Sequence, residues 1–287
     1  MTEDPFVAHR SLLFTVAYEM LGSAADAEDV LQETWLRWAA VDRSQVGDPR
    51  AYLVRAVTRQ ALNRIRTLAR RREDYVGEWL PEPLLTHPDV ADDVELAESV
   101  SIAMLTVLET LRPVERAVFV LHEVFGIPHN EVAEAVGKTP DAVRQIARRA
   151  RNHVSARQPR VRVSPTEHKA VMGRFVAALH TGRIQDLLEI MAPDVILIAD
   201  GGGLSAAAQA PVHGAELVAR LLTGTERAEA DTTLVWVNGA PAIRIESDGG
   251  GRAAVSLRIE NGRITRIYAT SNPQKLTRLH EPTALTR

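Results

Sequence analysis

The sequence predicts two all-α blocks followed by an α+β domain with an antiparallel sheet. Apolar residues recur with a helical period in residues 6–72 and 94–156, and a proline-rich segment separates these blocks. From Ser164 onward, short β-branched runs alternate with turn signals such as Asn238-Gly239. A chain of 287 residues is long enough for the two to three domains that this division requires.

The first block is predicted to contain three helices and to end in a linker. One apolar stripe ends at Gly22, and the next begins after Ser23 or Asp26, either of which can cap a helix. Asp48-Pro49 opens the third helix, because proline suits the first helical position. Residues 73–93 contain three prolines and interrupt the pattern, so they are predicted to form an extended linker.

The C-terminal part is predicted to combine helices with hairpins. Its helices are expected over Pro165–Thr181, Ile184–Met191 and His213–Leu222. Its strands are expected at Val195–Ile198, Thr233–Val237, Ala242–Glu246, Ala253–Ile259 and Ile264–Thr270. Turns are predicted at Asn238-Gly239, Asp248–Gly251 and Asn261-Gly262, and Asn-Gly favours type I′ hairpins because both residues need positive φ. Helices followed by an antiparallel meander form an α+β domain.

Composition excludes several classes of function. The chain has no cysteine, so it carries no disulfide, thiol nucleophile or cysteine-ligated zinc. Its nine histidines are scattered without the spacing of a metal site, and we expect no metal, no cofactor and no catalytic residue. No run of about 18 apolar residues occurs, and the acidic start Met1–Pro5 lacks the parts of a signal peptide. A cytoplasmic protein that does not bind membranes is expected.

Positive charge is concentrated in two segments, although the net charge is −3. Residues 50–72 contain arginines and no acid, and residues 138–162 contain Asp141 as their single acid. Between them, residues 73–111 contain neither lysine nor arginine. Binding of a polyanion depends on the local density of positive charge, although such a run can also be a solvated helix face. The motifs described next favour nucleic acid.

Residues 130–151 predict a helix-turn-helix. Gly137 can adopt the left-handed conformation that ends the first helix, and Thr139 with Pro140 can start the second. The outward face of the second helix carries side chains suited to guanine and adenine edges, namely Arg144, Gln145, Arg148 and Arg149. A recognition helix in the major groove has this arrangement. The alternative is a plain helical hairpin within an α-bundle.

Two longer motifs resemble a known family. Tyr18–Trp38 looks like region 2 of the bacterial extracytoplasmic-function (ECF) RNA polymerase sigma factors. Leu111–Leu121, followed by the helix-turn-helix, is similar to region 4 of the same family. Both occur in the family's order and spacing. The resemblance implies a helical region 2 at 4–72, the linker at 73–93, region 4 at 94–158, a further domain at 163–276 and a tail at 277–287.

The resemblance also implies partners and contact residues. The expected partners are promoter DNA and core RNA polymerase, the latter through its β′ clamp and β flap. An acidic face with no basic residue before Arg37 would meet the β′ clamp, and it consists of Asp29, Gln32 and Glu33. Contacts with the −10 promoter element are expected from Asn63, Arg64 and Arg66. The outward face of the second helix of the helix-turn-helix would contact the −35 element.

The C-terminal part resembles the SnoaL-like domains of the NTF2-like fold, in which helices pack on a curved sheet shaped as a cone. A subgroup of ECF factors carries such a domain, and three motifs expected for it are present at Trp79–Pro83, Asp200–Gly203 and Asn272–Leu276, with Gln274 replacing an aspartate. Large apolar side chains in a linker without its own core are expected to dock on a neighbour. The expected regulatory contact between domains comprises Trp79, Leu80, Pro81, Asn272, Pro273, Lys275 and Leu276.

Two functions are compatible with these observations. The first is a sigma factor that binds core RNA polymerase and directs promoter-specific initiation, modulated in cis by its C-terminal domain. The second is a SnoaL-like small-molecule enzyme or sensor tethered to a DNA-binding module, with Asp200 and His213 as candidate pocket residues. Asp200, beside three glycines, is more simply a turn residue, and an unknown small ligand could occupy the cone. The region 2 motif favours the sigma factor, because a tethered module would need only the helix-turn-helix.

Overall fold

The computed structural model describes residues 4–157, 163–205, 207–223, 231–247 and 251–287, and of residues 69–73 it describes only the backbone. Residues 248–250 of one predicted turn, and Arg160 and Arg162 of the second basic segment, lie outside the described residues. The first helical block consists of α1 (Pro5–Ala8), α2 (Arg10–Leu21), α3 (Ala24–Ala39) and α4 (Pro49–Glu73). A 3₁₀ turn at Arg43–Gln45 precedes α4.

The second helical block follows the linker and a 3₁₀ segment at Pro88–Asp92. It consists of α5 (Val94–Val100), α6 (Ile102–Leu108), α7 (Pro113–Phe119), α8 (His129–Val136) and α9 (Pro140–Ser155), with a π-helical segment at Val120–Val124 after α7. Ser23 caps α3 by accepting a hydrogen bond from the Asp26 backbone N–H, which settles the choice between the two predicted caps.

One apolar core runs through both helical blocks. Leu13 and Val57 of the first block belong to the same cluster of buried side chains as Val118 and Val143 of the second, and all four are fully buried. Leu285, near the C-terminus, is part of this cluster as well. The two blocks are therefore packed as one body, because burial of a shared apolar surface holds them together.

The C-terminal domain has helices on one side of a six-stranded sheet. Its helices are α10 (Pro165–Thr181), α11 (Ile184–Ile190) and α12 (Ala215–Leu222). Its strands are β1 (Met191–Asp200), β2 (Val212–His213), β3 (Asp231–Val237), β4 (Ala240–Glu246), β5 (Arg252–Glu260) and β6 (Arg263–Thr270). The third predicted helix therefore starts later than expected, because His213 pairs with Ile196 of β1.

The strand order is β2-β1-β6-β5-β4-β3, and one pair departs from the predicted antiparallel pattern. Strands β3 to β6 form the expected antiparallel meander, whereas β1 runs parallel to β6. A parallel pair between strands distant in the sequence leaves no hairpin signal that could have predicted it. Register shifts at Met191/Ile196 and at Arg258/Ile259 mark irregular pairing, and such bulges bend a sheet.

The two faces of the sheet have different neighbours. One face packs on α10, α11 and α12 through a buried cluster that includes Phe175, Leu187 and Ile267. A second cluster joins Ile198 and Tyr268 of the sheet to two residues outside the C-terminal domain: Leu80 of the linker and Ile102 of α6. The linker and the second helical block therefore cover part of the sheet directly.

Candidate nucleic-acid interface and interdomain contacts

The helix-turn-helix has the geometry that the sequence predicts. Gly137 ends α8 with φ 66°, and the Thr139 hydroxyl accepts a hydrogen bond from the Ala142 backbone N–H at 3.3 Å. Val143 and Ile146 are buried against the rest of the second block. The outward face, which we call the recognition face, is exposed along the helix and consists of Arg144, Gln145, Arg148 and Arg149. Arg144 forms an ion pair with Asp141 one turn earlier.

The acidic face of α3 is exposed, but it is not free of basic neighbours. Asp29, Gln32 and Glu33 all face solvent. The Arg64 guanidinium of α4 lies 2.8 Å from a carboxylate oxygen of Asp29 and 2.6 Å from one of Asp26. The hydrogen bond to Asp26 raises the pKa of Arg64. No basic residue precedes Arg37 along this helix, but α4 supplies Arg64 as a basic neighbour from elsewhere in the fold.

The three residues predicted to contact the −10 element occupy different environments. Asn63 and Arg66 are exposed on α4, and the Arg66 guanidinium donates to the Asn63 side chain at 3.2 Å. Arg64 is partly buried by the two carboxylates of α3. The structure thus joins a predicted DNA contact directly to a predicted polymerase contact.

Helix α4 also packs against the first helix of the helix-turn-helix. Arg55 forms an ion pair with the Glu134 carboxylate at 2.9 Å, and Arg59 donates to the Glu134 backbone carbonyl at 2.9 Å. The basic helix of the first block therefore contacts α8, and α8 in turn packs on the helix that carries the recognition face. The two predicted DNA-binding surfaces lie on one compact body.

The predicted contact between the linker and the C-terminal domain is present and centres on a buried ion pair. The Lys275 ammonium lies 2.7 Å from a carboxylate oxygen of Asp200, and both side chains are buried. Lys275 also donates to the Leu80 carbonyl at 2.6 Å and lies 3.2 Å from the centre of the Trp79 ring. The Leu80 backbone N–H and the Tyr75 hydroxyl donate to Asp200 at 2.8 and 2.5 Å.

The segment after β6 completes this linker contact. The Asn272 side chain donates to the Tyr75 hydroxyl at 2.8 Å and approaches Gly202 so closely that a Cβ there would overlap the amide nitrogen. Pro273 begins the 3₁₀ turn that contains Lys275, and Leu276 is buried beside β3 and β4. Pro81 is buried as well. The linker is therefore extended, as predicted, but it is held by buried polar groups and is not loosely packed.

The two candidate pocket residues do not share a site. Asp200 ends β1, and its fully buried carboxylate takes part in the linker contact. His213 is exposed in β2 and lines a shallow surface depression with Arg220 and Arg263. Neither residue lines the apolar cleft of about 270 Å³ between α5–α6 and the sheet. Burial lowers the pKa of His168, which lines that cleft, to about 4.

Several interdomain residues had no signal in the sequence. The Glu82 carboxylate of the linker accepts from the Ala24 backbone N–H at 2.7 Å and so caps α3, and Arg116 of α7 donates to the Met20 carbonyl at 2.9 Å. In the tail, Arg287 pairs with Asp93 at 2.7 Å. Their partners lie far away in the sequence, so no local pattern could reveal them. The apolar character of Leu285 was the one hint that the tail packs on the helical core.

Among the residues that the structure describes, no group of three or more histidine and acidic side chains could hold a metal ion. No helix found there combines the length and apolar composition that crossing a bilayer requires.

Comparison with known proteins defines the class. Residues 6–71 match the family model of Sigma-70 region 2, and residues 101–154 match that of Sigma-70, region 4. The ECF RNA polymerase sigma factor SigJ of Mycobacterium tuberculosis is 36% identical over 293 residues, which cover 96% of this chain and 94% of SigJ. The chain therefore belongs to the ECF RNA polymerase sigma factors.

Two further comparisons cover the C-terminal domain as well. The probable ECF RNA polymerase sigma factor SigI of Mycobacterium tuberculosis is 32% identical over 274 residues, covering 94% of this chain and 92% of SigI. The crystal structure of Mycobacterium tuberculosis SigJ superposes with a TM-score of 0.77 at 34% identity, covering 95% of this chain and 97% of that one. Residues 6–71 and 101–154 are sigma regions 2 and 4, and they are followed by an α+β domain with a six-stranded sheet.

Family membership establishes the function at the level of the class. The chain is a transcription initiation factor that acts with core RNA polymerase on promoter DNA. A SnoaL-like enzyme tethered to a DNA-binding module is not favoured, because the similarity to sigma factors extends over nearly the whole chain and includes region 2.

Proposed function

We propose that the structure is a closed form of this sigma factor, in which the C-terminal domain holds regions 2 and 4 together and so modulates transcription in cis. In the active complex, Asp29, Gln32 and Glu33 bind the β′ clamp, and region 4 binds the β flap. Asn63, Arg64 and Arg66 contact the −10 element, and the recognition face contacts the −35 element. The contact of α4 with α8 carries the proposal, since it brings the two DNA-binding regions together.

Promoter geometry requires these regions to separate. The −10 and −35 elements lie more than two turns of the duplex apart, which is roughly 70 Å at about 34 Å for each turn. In the closed form, Arg55 and Arg59 of α4 lie 2.9 Å from Glu134 of α8. A chain in this arrangement cannot place α4 and α9 on both elements at once. Opening is therefore a required step before promoter recognition.

The pairing of Arg64 with Asp29 suggests how polymerase binding and DNA binding are coupled within region 2. Both side chains are on the surface of region 2, and each is assigned to a different partner. A basic surface that binds Asp29 competes with Arg64 for that carboxylate. The guanidinium then keeps Asp26 as a partner and is more available to DNA. Core polymerase and promoter DNA would therefore bind cooperatively at this helix pair.

The DNA contacts are tested by substitution on the recognition face. Arg148→Ala or Gln145→Ala should weaken binding to the cognate −35 element by about 1–3 kcal/mol for each base whose hydrogen bonds are removed. Binding to core polymerase should not change. The matched control is Arg220→Ala, which removes an exposed arginine from α12. An equal weakening on cognate and random DNA would show that the two side chains contact phosphates and do not recognise bases.

The polymerase contact is tested on the acidic face. Glu33→Lys should reduce association with core polymerase in a pull-down assay, because it places a positive charge against a basic partner. Glu216→Lys makes the same change at an exposed position of α12 and should have no effect. Full-strength binding by Glu33→Lys would contradict the assignment of this face.

Modulation in cis is tested by truncation. Removal of the residues after Asn272 deletes Lys275 and the tail, and removal from Val163 deletes the whole C-terminal domain. The two truncations should change promoter-dependent transcription differently. The first removes only some of the contacts that hold the closed form, and the second removes the whole domain on which the linker and the helical blocks pack. Transcription identical to that of the full chain in both cases would show that the domain does not modulate activity.

A further inference from the structure

The turn between β3 and β4, Asn238-Gly239, lies inside the molecule, which is unusual for a hairpin turn. Asn238 has φ 54° and Gly239 has φ 70°, as a type I′ turn requires. The Asn261-Gly262 turn between β5 and β6 has nearly the same angles, 51° and 72°. Asn261 is exposed, whereas Asn238 is fully buried. Two chemically identical turns therefore occupy opposite environments in one domain.

The Asn238 side chain contacts both helical blocks and the linker at once. Its amide nitrogen donates to the Tyr18 hydroxyl of α2 at 2.7 Å and to the Val100 carbonyl at the end of α5 at 2.7 Å. Its amide oxygen accepts from the Leu84 backbone N–H at 2.9 Å. All hydrogen-bonding groups of this amide are thus used by parts of the chain outside the C-terminal domain.

The surrounding groups form a continuous buried network. The Tyr18 hydroxyl donates onward to the Glu82 carbonyl at 2.6 Å, and Tyr18 is fully buried. The Gly239 backbone N–H donates to the Thr86 hydroxyl at 3.1 Å. A Cβ at Gly239 would lie 2.9 Å from the Cα of Ala97, so α5 packs directly on the turn. A buried polar network holds its members in one geometry, because each buried donor or acceptor that loses its hydrogen bond destabilises the fold.

We infer that Asn238 is a positioning residue that sets regions 2 and 4 relative to each other in the closed form. The inference deepens the proposed function, on whose closed form it rests. The amide donates to one group in each helical block, and these blocks carry regions 2 and 4. Neither block can move away without leaving a buried donor or acceptor unpaired. The side chain makes none of these bonds within its own domain, so the hairpin itself does not depend on it.

The substitution that isolates this role is Asn238→Asp. Aspartate has the same shape and tolerates positive φ, so the turn is kept. It cannot donate to the Tyr18 hydroxyl and the Val100 carbonyl, and it places a negative charge against the carbonyl oxygen. The matched control is Asn261→Asp, the same change in a turn of the same conformation at the surface. Asn238→Gly is a second variant, which keeps the turn and removes the amide without adding charge.

The experiment measures the distance between the regions in the full chain. The chain has no cysteine, so Leu36→Cys on α3 and Lys138→Cys in the turn of the helix-turn-helix can be labelled with a donor and an acceptor dye. Asn238→Asp and Asn238→Gly should lower the energy transfer and shift the closed-to-open ratio by about tenfold toward open. Asn261→Asp should leave it unchanged. Hydrogen exchange should show β5 and β6 equally protected in all variants.

Two results would overturn the inference. Unchanged energy transfer in both Asn238 variants would show that the amide does not position the regions. Loss of protection in β5 and β6 would show that the side chain serves the fold of its own domain. Transcription from a promoter separates this inference from the proposed function. If the Asn238 variants open and transcription is unchanged, the positioning role stands and the modulating role of the closed form fails.

Discussion

Substitution of Lys275 by methionine tests whether the buried ion pair with Asp200 holds the linker on the C-terminal domain. Methionine keeps the apolar stem and removes the ammonium group. The change deletes the ion pair at 2.7 Å, the hydrogen bond to the Leu80 carbonyl at 2.6 Å and the contact with the Trp79 ring at 3.2 Å. Asp200 is then left as a fully buried carboxylate without its cation.

The magnitude follows from what remains around that carboxylate. Removing one partner of a buried ion pair costs about 3–5 kcal/mol, because the other charge stays out of water. Asp200 keeps two hydrogen bonds, from the Leu80 backbone N–H at 2.8 Å and from the Tyr75 hydroxyl at 2.5 Å. We therefore expect the lower end of that range, about 3 kcal/mol. The double variant Asp200→Asn with Lys275→Met removes both charges and should recover most of the stability.

The assay is urea unfolding followed by circular dichroism, from which the free energy of unfolding is obtained. The control is Arg278→Met, three residues along the same segment, which removes a partly exposed ion pair with Glu28 at 3.6 Å. Such surface pairs contribute about 0–1 kcal/mol. A destabilisation by Lys275→Met no larger than that by Arg278→Met would refute the reasoning, as would a double variant as unstable as the single one.

Three further predictions concern other buried contacts. Burial raises the pKa of Glu19 from 4.5 to about 8, so the stabilisation by Glu19 is full below about pH 4.5 and declines toward about pH 8. Glu19→Gln should flatten this decline in the melting temperature, measured by thermal unfolding between these pH values. Gly239→Ala should lower the melting temperature more than Gly262→Ala, because its Cβ would lie 2.9 Å from a backbone atom and that of Gly262 no closer than 3.8 Å to a carboxylate. Leu285→Ala should cost at least about 2 kcal/mol in urea unfolding, because Leu285 is buried in the helical core, and a smaller destabilisation would place the tail outside that core.

The secondary structure was predicted well where a local pattern determines it. The helix predicted over Pro165–Thr181 is observed with the same bounds, and the last four strands differ from prediction by at most two residues at an end. Strand β1 is longer than predicted, because Met191–Asp194 shows no alternation and joins the sheet irregularly. The exposure of the recognition face is predicted correctly, because helical periodicity alone decides which side chains of α9 point outward.

The interdomain sites were predicted in part. Trp79, Leu80 and Lys275 were grouped through the resemblance to a sigma factor subgroup, and the structure brings them together. The role of Asp200 in the same contact was missed, because a carboxylate beside glycines has the pattern of a turn. Arg64 was assigned to DNA alone, since its pairing with Asp29 depends on how α3 and α4 cross.

The sequence by itself determined the helices, the hairpins, the helix-turn-helix and the membership of a sigma factor family, because each depends on spacing along a short stretch of chain. Only the tertiary structure decided that two identical Asn-Gly turns differ, one buried between regions 2 and 4 and one at the surface. The difference arises because the Asn238 side chain donates hydrogen bonds to Val100 and Tyr18, which precede it in the chain by 138 and 220 positions. No local pattern records which distant groups folding brings within about 3 Å of a side chain.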